Sequence, residues 1–260
     1  MTYRLNYLIF ALACAAGICM RTVMLLFTIE EKSGFIVSEY SVWAIILLIF
    51  ILFAATLVFC FSLIQRPKNI SSCTKRSALF PLSCIAIAIS IIYETFFSNI
   101  INGAQLYQTL IHGILTIISA VALLLIAYCE FMKLTLPPII CVVPIFFWIM
   151  RLIIIFSSFS TISVISDTII ETAAICLTLI TFIMYAKFEN GYLEKEKFSL
   201  AFATVLVNAY VCLIASVPRI ICDIVSFEQA VHLHPVPAIT SLCVAVFSII
   251  ISTRLIETEE

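Results

Sequence analysis

The chain has 260 residues, of which 63% are hydrophobic and only 11% charged, and its formal net charge is −1. Soluble domains hold about 45–50% apolar and about 25% charged residues, so this composition excludes a soluble globule and makes the lipid bilayer the main partner of the surface. The absence of a basic surplus or an arginine-rich stripe excludes nucleic acid.

A helix that crosses a bilayer needs about 20 mostly apolar residues. Runs of that kind recur at roughly 6–28, 41–64, 78–98, 109–132, 138–158, 164–187, 199–221 and 236–255. Their length predicts helices, because barrel strands alternate polar and apolar residues over about 10 positions. The expected fold is all-α: a polytopic integral membrane helical bundle of about eight transmembrane helices, one transmembrane domain over 1–260 with no soluble domain. The first run follows Arg4 and contains Ala15, Ala16 and Gly17. With further runs behind it, it reads as a signal anchor rather than a cleaved peptide.

Lysine and arginine set the orientation. Arg4 precedes the first run, Arg66, Lys68, Lys75 and Arg76 separate the second and third, Lys133 the fourth and fifth, and Lys187, Lys195 and Lys197 the sixth and seventh. All fall on one side if the runs alternate, and the opposite connections hold only Lys32, beside Glu30, Glu31 and Glu39. This pattern predicts both termini in the cytoplasm, and the expected location is a bacterial-type cytoplasmic (inner) membrane. Pro137, Pro138, Pro235 and Pro237 fall at helix starts, whereas Pro81, Pro144 and Pro218 lie inside runs, where kinks are expected. A short similarity joins Cys19-Met20-Arg21 to Ile149-Met150-Arg151. It fits two like-oriented halves of four helices, 1–130 and 131–260, although the match covers few residues and chance likeness between apolar helices is the commoner account.

Most of the eleven cysteines lie within apolar runs and read as small packing residues. Charges within the bilayer stand out more, since each costs about 2.5–3.5 kcal/mol at the centre of a helix. The alternating topology gathers Arg21, Glu94, His112, Arg151, Asp167, Glu171, Arg219 and Asp223 in the extracytoplasmic third. The inner halves offer nothing comparable: Glu130 and Lys187 read as residues that reach the headgroups, and Arg254 as a boundary residue. Asp167 and Glu171 share a helix face, as do Arg219 and Asp223. Arg21 and Arg151 have no acid three or four residues away, so their partners come from other helices, a loop, lipid phosphate or a ligand.

Two readings of this group stand side by side. In one, Arg21 and Arg151, with Arg219 as a third, hold a small anionic ligand in an outward-facing cavity among Glu94, Asp167 and Glu171. In the other, the arginines pair with those acids and order the packing. Three histidines, His112, His232 and His234, fall on the same side and form a weak candidate set for zinc, without the helical spacing of a preformed site. Asn208, with Thr204 and Tyr210 nearby, reads as interhelical hydrogen-bonding glue. Phosphate-binding glycine loops and serine or cysteine triads are missing, and no cofactor is implied.

The function expected from these features is binding or transport of a small polar or anionic solute from the extracytoplasmic side. The alternatives are a sensor or accessory subunit working with a protein partner, and an intramembrane metal-dependent hydrolase. The balance leans away from an enzyme.

Overall fold

With no water in the hydrocarbon to take up backbone N–H and C=O groups, each membrane-length segment closes its own hydrogen bonds as a helix. The computed structural model of the chain describes residues 3–27, 38–64, 78–97, 106–158, 165–225 and 235–257. Among the described residues there are eight α-helices and no strand: α1 (Tyr3–Phe27), α2 (Ser41–Leu63), α3 (Leu79–Phe97), α4 (Leu106–Met132), α5 (Pro138–Ser158), α6 (Ile165–Glu189), α7 (Phe198–Val225) and α8 (Pro235–Glu257). Each contains a stretch long and apolar enough to cross a membrane, and each covers one of the runs read from the sequence. Serine and threonine hydroxyls within them donate back to carbonyls one turn earlier, as Ser90 does to Ile87 (2.9 Å) and Ser216 to Cys212 (2.7 Å). These side chains thereby meet their own polar needs inside lipid.

Prolines fall largely as expected. Pro138 and Pro235 open α5 and α8, and Pro144 and Pro218 lie inside α5 and α7. Pro81 differs: α3 begins only at Leu79, so this proline occupies a first turn, where its missing N–H has no intrahelical role and no kink is required.

Lateral packing has a simple order. Each helix from α3 to α8 packs on the next, and α8 closes back on α3, so these helices form a ring; α1 and α2 pack on each other and on the outside of α7. Consequently 72% of the α7 span is buried, against 17% of α2, whose Trp43, Ile49 and Phe53 face outward. The Tyr7 hydroxyl meets that of Ser252 at 2.8 Å, and the Asn6 side chain reaches the Phe61 carbonyl at 3.5 Å. The start of α1 and the ends of α2 and α8 therefore share one face of the bundle, the terminal face. The ends of α1, α3, α5 and α7 lie at the other, the distal face.

At Gly17, α1 packs closely against α7. A Cβ there would stand 2.7 Å from Ile214 Cδ1 and 2.8 Å from the Tyr210 hydroxyl, and that hydroxyl is held by donation to the Ile51 carbonyl (3.0 Å). The glycine thus serves close contact inside the chain. Gly17→Leu is expected to lower stability in detergent by about 1–3 kcal/mol through overpacking. Gly17→Ala should lose less, because alanine gains about 1 kcal/mol of helix propensity. Thermal unfolding of the two variants beside the native chain tests this, and a leucine variant that melts with the native protein would refute the contact.

At mid-membrane, Asn208 accepts from the Thr178 hydroxyl (3.2 Å) and donates to Ser248 (2.9 Å), tying α7 to α6 and α8. This is the glue expected of Asn208, whereas the Thr204 hydroxyl donates within its own helix, to the Leu200 carbonyl.

Candidate functional site: two charged layers joined by an aromatic column

The distal layer grows from α5. Pairing a guanidinium with a carboxylate lowers the penalty for burying either one, most effectively in fork geometry. Arg151 and Glu94 of α3 adopt that geometry: Nη1 donates to Oε2 at 2.9 Å and Nη2 lies 2.8 Å from Oε1. Both side chains are only 7% exposed. Arg151 Nη2 also lies 3.4 Å from Glu171 Oε1 of α6, and the other oxygen of Glu171 lies 3.7 Å from Arg219 Nη2 of α7. Glu171 thus straddles two arginines with both contacts long, and its side chain is 23% exposed. The Trp148 ring, one turn before Arg151, lies 5.3 Å from its guanidinium carbon.

Of the residues singled out from sequence, Arg151, Arg219, Glu94 and Glu171 form one network. The acids that Arg151 lacks on its own helix are supplied by α3 and α6. Arg21 is buried, donates to Met24 Sδ (3.1 Å) and stands within electrostatic reach of Arg219 and Cys222. Asp167 sits in the first turn of α6, one turn before Glu171, and Asp223 in the last turn of α7, but their side chains lie outside the described residues.

His112 of α4 is buried against Phe147, with ring centroids 5.3 Å apart. Its Nδ1 has no hydrogen-bond partner among the described residues. His232 and His234, the other members of the zinc candidate set, lie outside the described residues. Among the described residues no group of three His, Cys, Asp or Glu side chains is arranged to hold a metal ion.

A second charged layer lies at the terminal face, where sequence reasoning found nothing comparable to the first. Arg254 of α8, 2% exposed, pairs with Glu130 of α4 and with Glu189 of α6, the latter at 3.3 Å. Its guanidinium carbon lies 4.1 Å from the centre of the Phe80 ring. Glu130 therefore serves as an internal counter-ion rather than reaching the headgroups, and Arg254 is a core residue rather than a boundary one. The available signal was depth: an arginine and two glutamates lie within about one turn of helix ends at the same face, which permits pairing across the ring.

Aromatic rings link the two layers. From Trp148 beside Arg151, the column passes to Phe182 (6.3 Å), then to Phe247 (5.1 Å), then to Phe80 (5.6 Å) beneath Arg254. Tyr185 flanks Phe80 and Phe247. Such ring pairs contribute about 0.5–1.5 kcal/mol each beyond burial. The arrangement is a low-dielectric core with a charged network at either end, and among the described residues the distal network holds Glu171 loosely between two guanidinium groups.

The fold and these buried charges define a multi-pass α-helical membrane protein. Comparison with known proteins finds no match to a family model, to a curated protein or to a solved structure.

Proposed function

We propose that the protein binds a small anionic solute at the distal layer and carries it across the membrane, with Arg151 and Arg219 as the anion-holding pair and Arg21 as the adjoining positive charge. The position of Glu171 carries this reading. Its carboxylate bridges the two arginines at 3.4 and 3.7 Å while remaining the more exposed acid of the network. An incoming carboxylate, phosphate or sulfate competes for the place that Glu171 occupies, and Arg151 keeps its fork to Glu94 throughout. Charged side chains within a membrane bundle commonly mark a substrate path. The charged layers at the two ends of the aromatic column suit alternating closure, one layer tight while the other exchanges partners. In this reading the distal face is extracytoplasmic, as the basic connections indicate.

The test is binding of a defined anion panel, inorganic phosphate, sulfate, succinate and glutamate, to the purified protein by calorimetry, followed by uptake into liposomes. The double variant Arg21→Gln/Arg151→Gln should abolish binding and flux, and because it leaves Glu94 buried without its fork, the same loss is read in the triple variant that adds Glu94→Gln, whose fold is checked by circular dichroism. Glu171→Gln removes the internal competitor and should tighten binding about tenfold, equivalent to about 1.4 kcal/mol. Unchanged affinity in the arginine variant would end the proposal.

A further inference from the structure

Away from the charged layers, at the outer perimeter of the terminal face, α5 and α6 separate to leave a cavity of about 400 Å³. The way α6 ends shapes it. Gly191 adopts φ +71°, the left-handed conformation that glycine enters without strain. Its N–H donates to the Phe188 carbonyl (3.1 Å), while the Tyr192 N–H donates to that of Lys187 (2.8 Å). This paired closure of a helix C-terminus turns the chain back, so that Tyr192 joins Lys187 and Asn190 at the rim. Beneath the rim, Ile139, Val142 and Ile145 of α5 face Ile183 and Ala186 of α6. Ile139 is 73% exposed, so the groove opens outward to lipid rather than into the ring.

The charge at the rim selects the occupant. Glu194 is paired with Lys197 at 2.7 Å, and Glu189 points to Arg254. Lys187 makes no salt bridge among the described residues and meets Glu194, already paired with Lys197, only at longer range, which leaves a cation above an apolar slot at the end of a membrane span. Lysine at that level meets lipid phosphate, and tyrosine favours the same interfacial depth. We propose that the α5–α6 groove is a binding site for one anionic phospholipid, its phosphate held by Lys187 with Asn190 and Tyr192 beside it, and an acyl chain laid along the isoleucines and Val142.

The purified full-length chain in detergent is the material for the test, with lipid retention read by native mass spectrometry and stability by thermal unfolding. Phosphatidylglycerol should be retained about fivefold better than phosphatidylcholine, the scale expected of a single lysine near a charged lipid surface. Lys187→Ala should erase that preference without unfolding the protein, since the side chain is exposed. Val142→Trp, which fills the slot from a partly exposed position, should lower retention of both lipids. Equal retention of the two lipids by the native chain overturns the proposal, as does a preference that survives Lys187→Ala. Stabilisation by inorganic phosphate equal to that by phosphatidylglycerol would also overturn it, because the acyl chain would then contribute nothing.

Discussion

Arg254→Ala is expected to destabilise the folded bundle by about 3–5 kcal/mol, the range found when one member of a buried ion pair is removed. The residue is 2% exposed and is shared by Glu130 and Glu189, so its removal strands two carboxylates of like charge beside each other at the end of the ring. It also removes the cation that sits 4.1 Å above Phe80, a contact of about 2 kcal/mol where water is excluded. Most of the loss comes from the acids left behind rather than from the arginine itself. The triple variant Arg254→Met/Glu130→Gln/Glu189→Gln should therefore recover much of the stability, because no charge remains to be desolvated. Unfolding titrated with SDS in mixed micelles measures both. A single variant that loses less than about 1 kcal/mol would show that water or lipid headgroups already solvate this layer.

Glu94→Ala and Glu171→Ala should separate sharply although both acids contact the same arginine. Glu94 is 7% exposed and forked to Arg151 at 2.8 and 2.9 Å, so its loss leaves a guanidinium in a dry site at a cost of about 3–5 kcal/mol. Glu171 is 23% exposed and holds its arginines at 3.4 and 3.7 Å, which puts it nearer the weak, solvated pairs of about 0–1 kcal/mol. Measured side by side in the same mixed micelles, Glu94→Ala should be the more damaging by a margin of at least about 2 kcal/mol. Equal losses would mean that Glu171 is as firmly held as Glu94, and would remove the basis for treating it as the displaceable carboxylate. The same comparison separates the two roles within the network: Glu94 orients Arg151, and Glu171 occupies the place open to competition.

The parts of this arrangement differ in how far they could be read along the chain. That Arg151 needed acids from elsewhere was visible from its own helix, since no carboxylate stands three or four residues from it. Which acids answered was not visible, because Glu94 and Glu171 lie 57 and 20 residues away and meet it only when α3, α5 and α6 pack together. Asn208 was legible as glue for the same reason, an amide inside an apolar helix, yet Thr178 and Ser248 could not be named as its partners. The terminal layer was missed altogether. Charges within a turn of a helix end can reach the headgroups cheaply, so the shared depth of Glu130, Glu189 and Arg254 permitted pairing without requiring it, and only the closure of α8 across the ring brought them together.

Sequence alone determined the membrane class, the eight spans and their extents to within a few residues, because the thickness of the hydrocarbon imposes a length along the chain that apolar runs must match. Tertiary structure decided that α3 to α8 close into a ring with α1 and α2 outside it, that an aromatic column fills the interval between two charged layers, and that Arg254 belongs to the core. The physical reason is that lipid is as apolar as the helix faces it surrounds. Burial from water therefore does not choose which faces meet, and the choice falls to close packing and to the few polar groups that must find one another across helices.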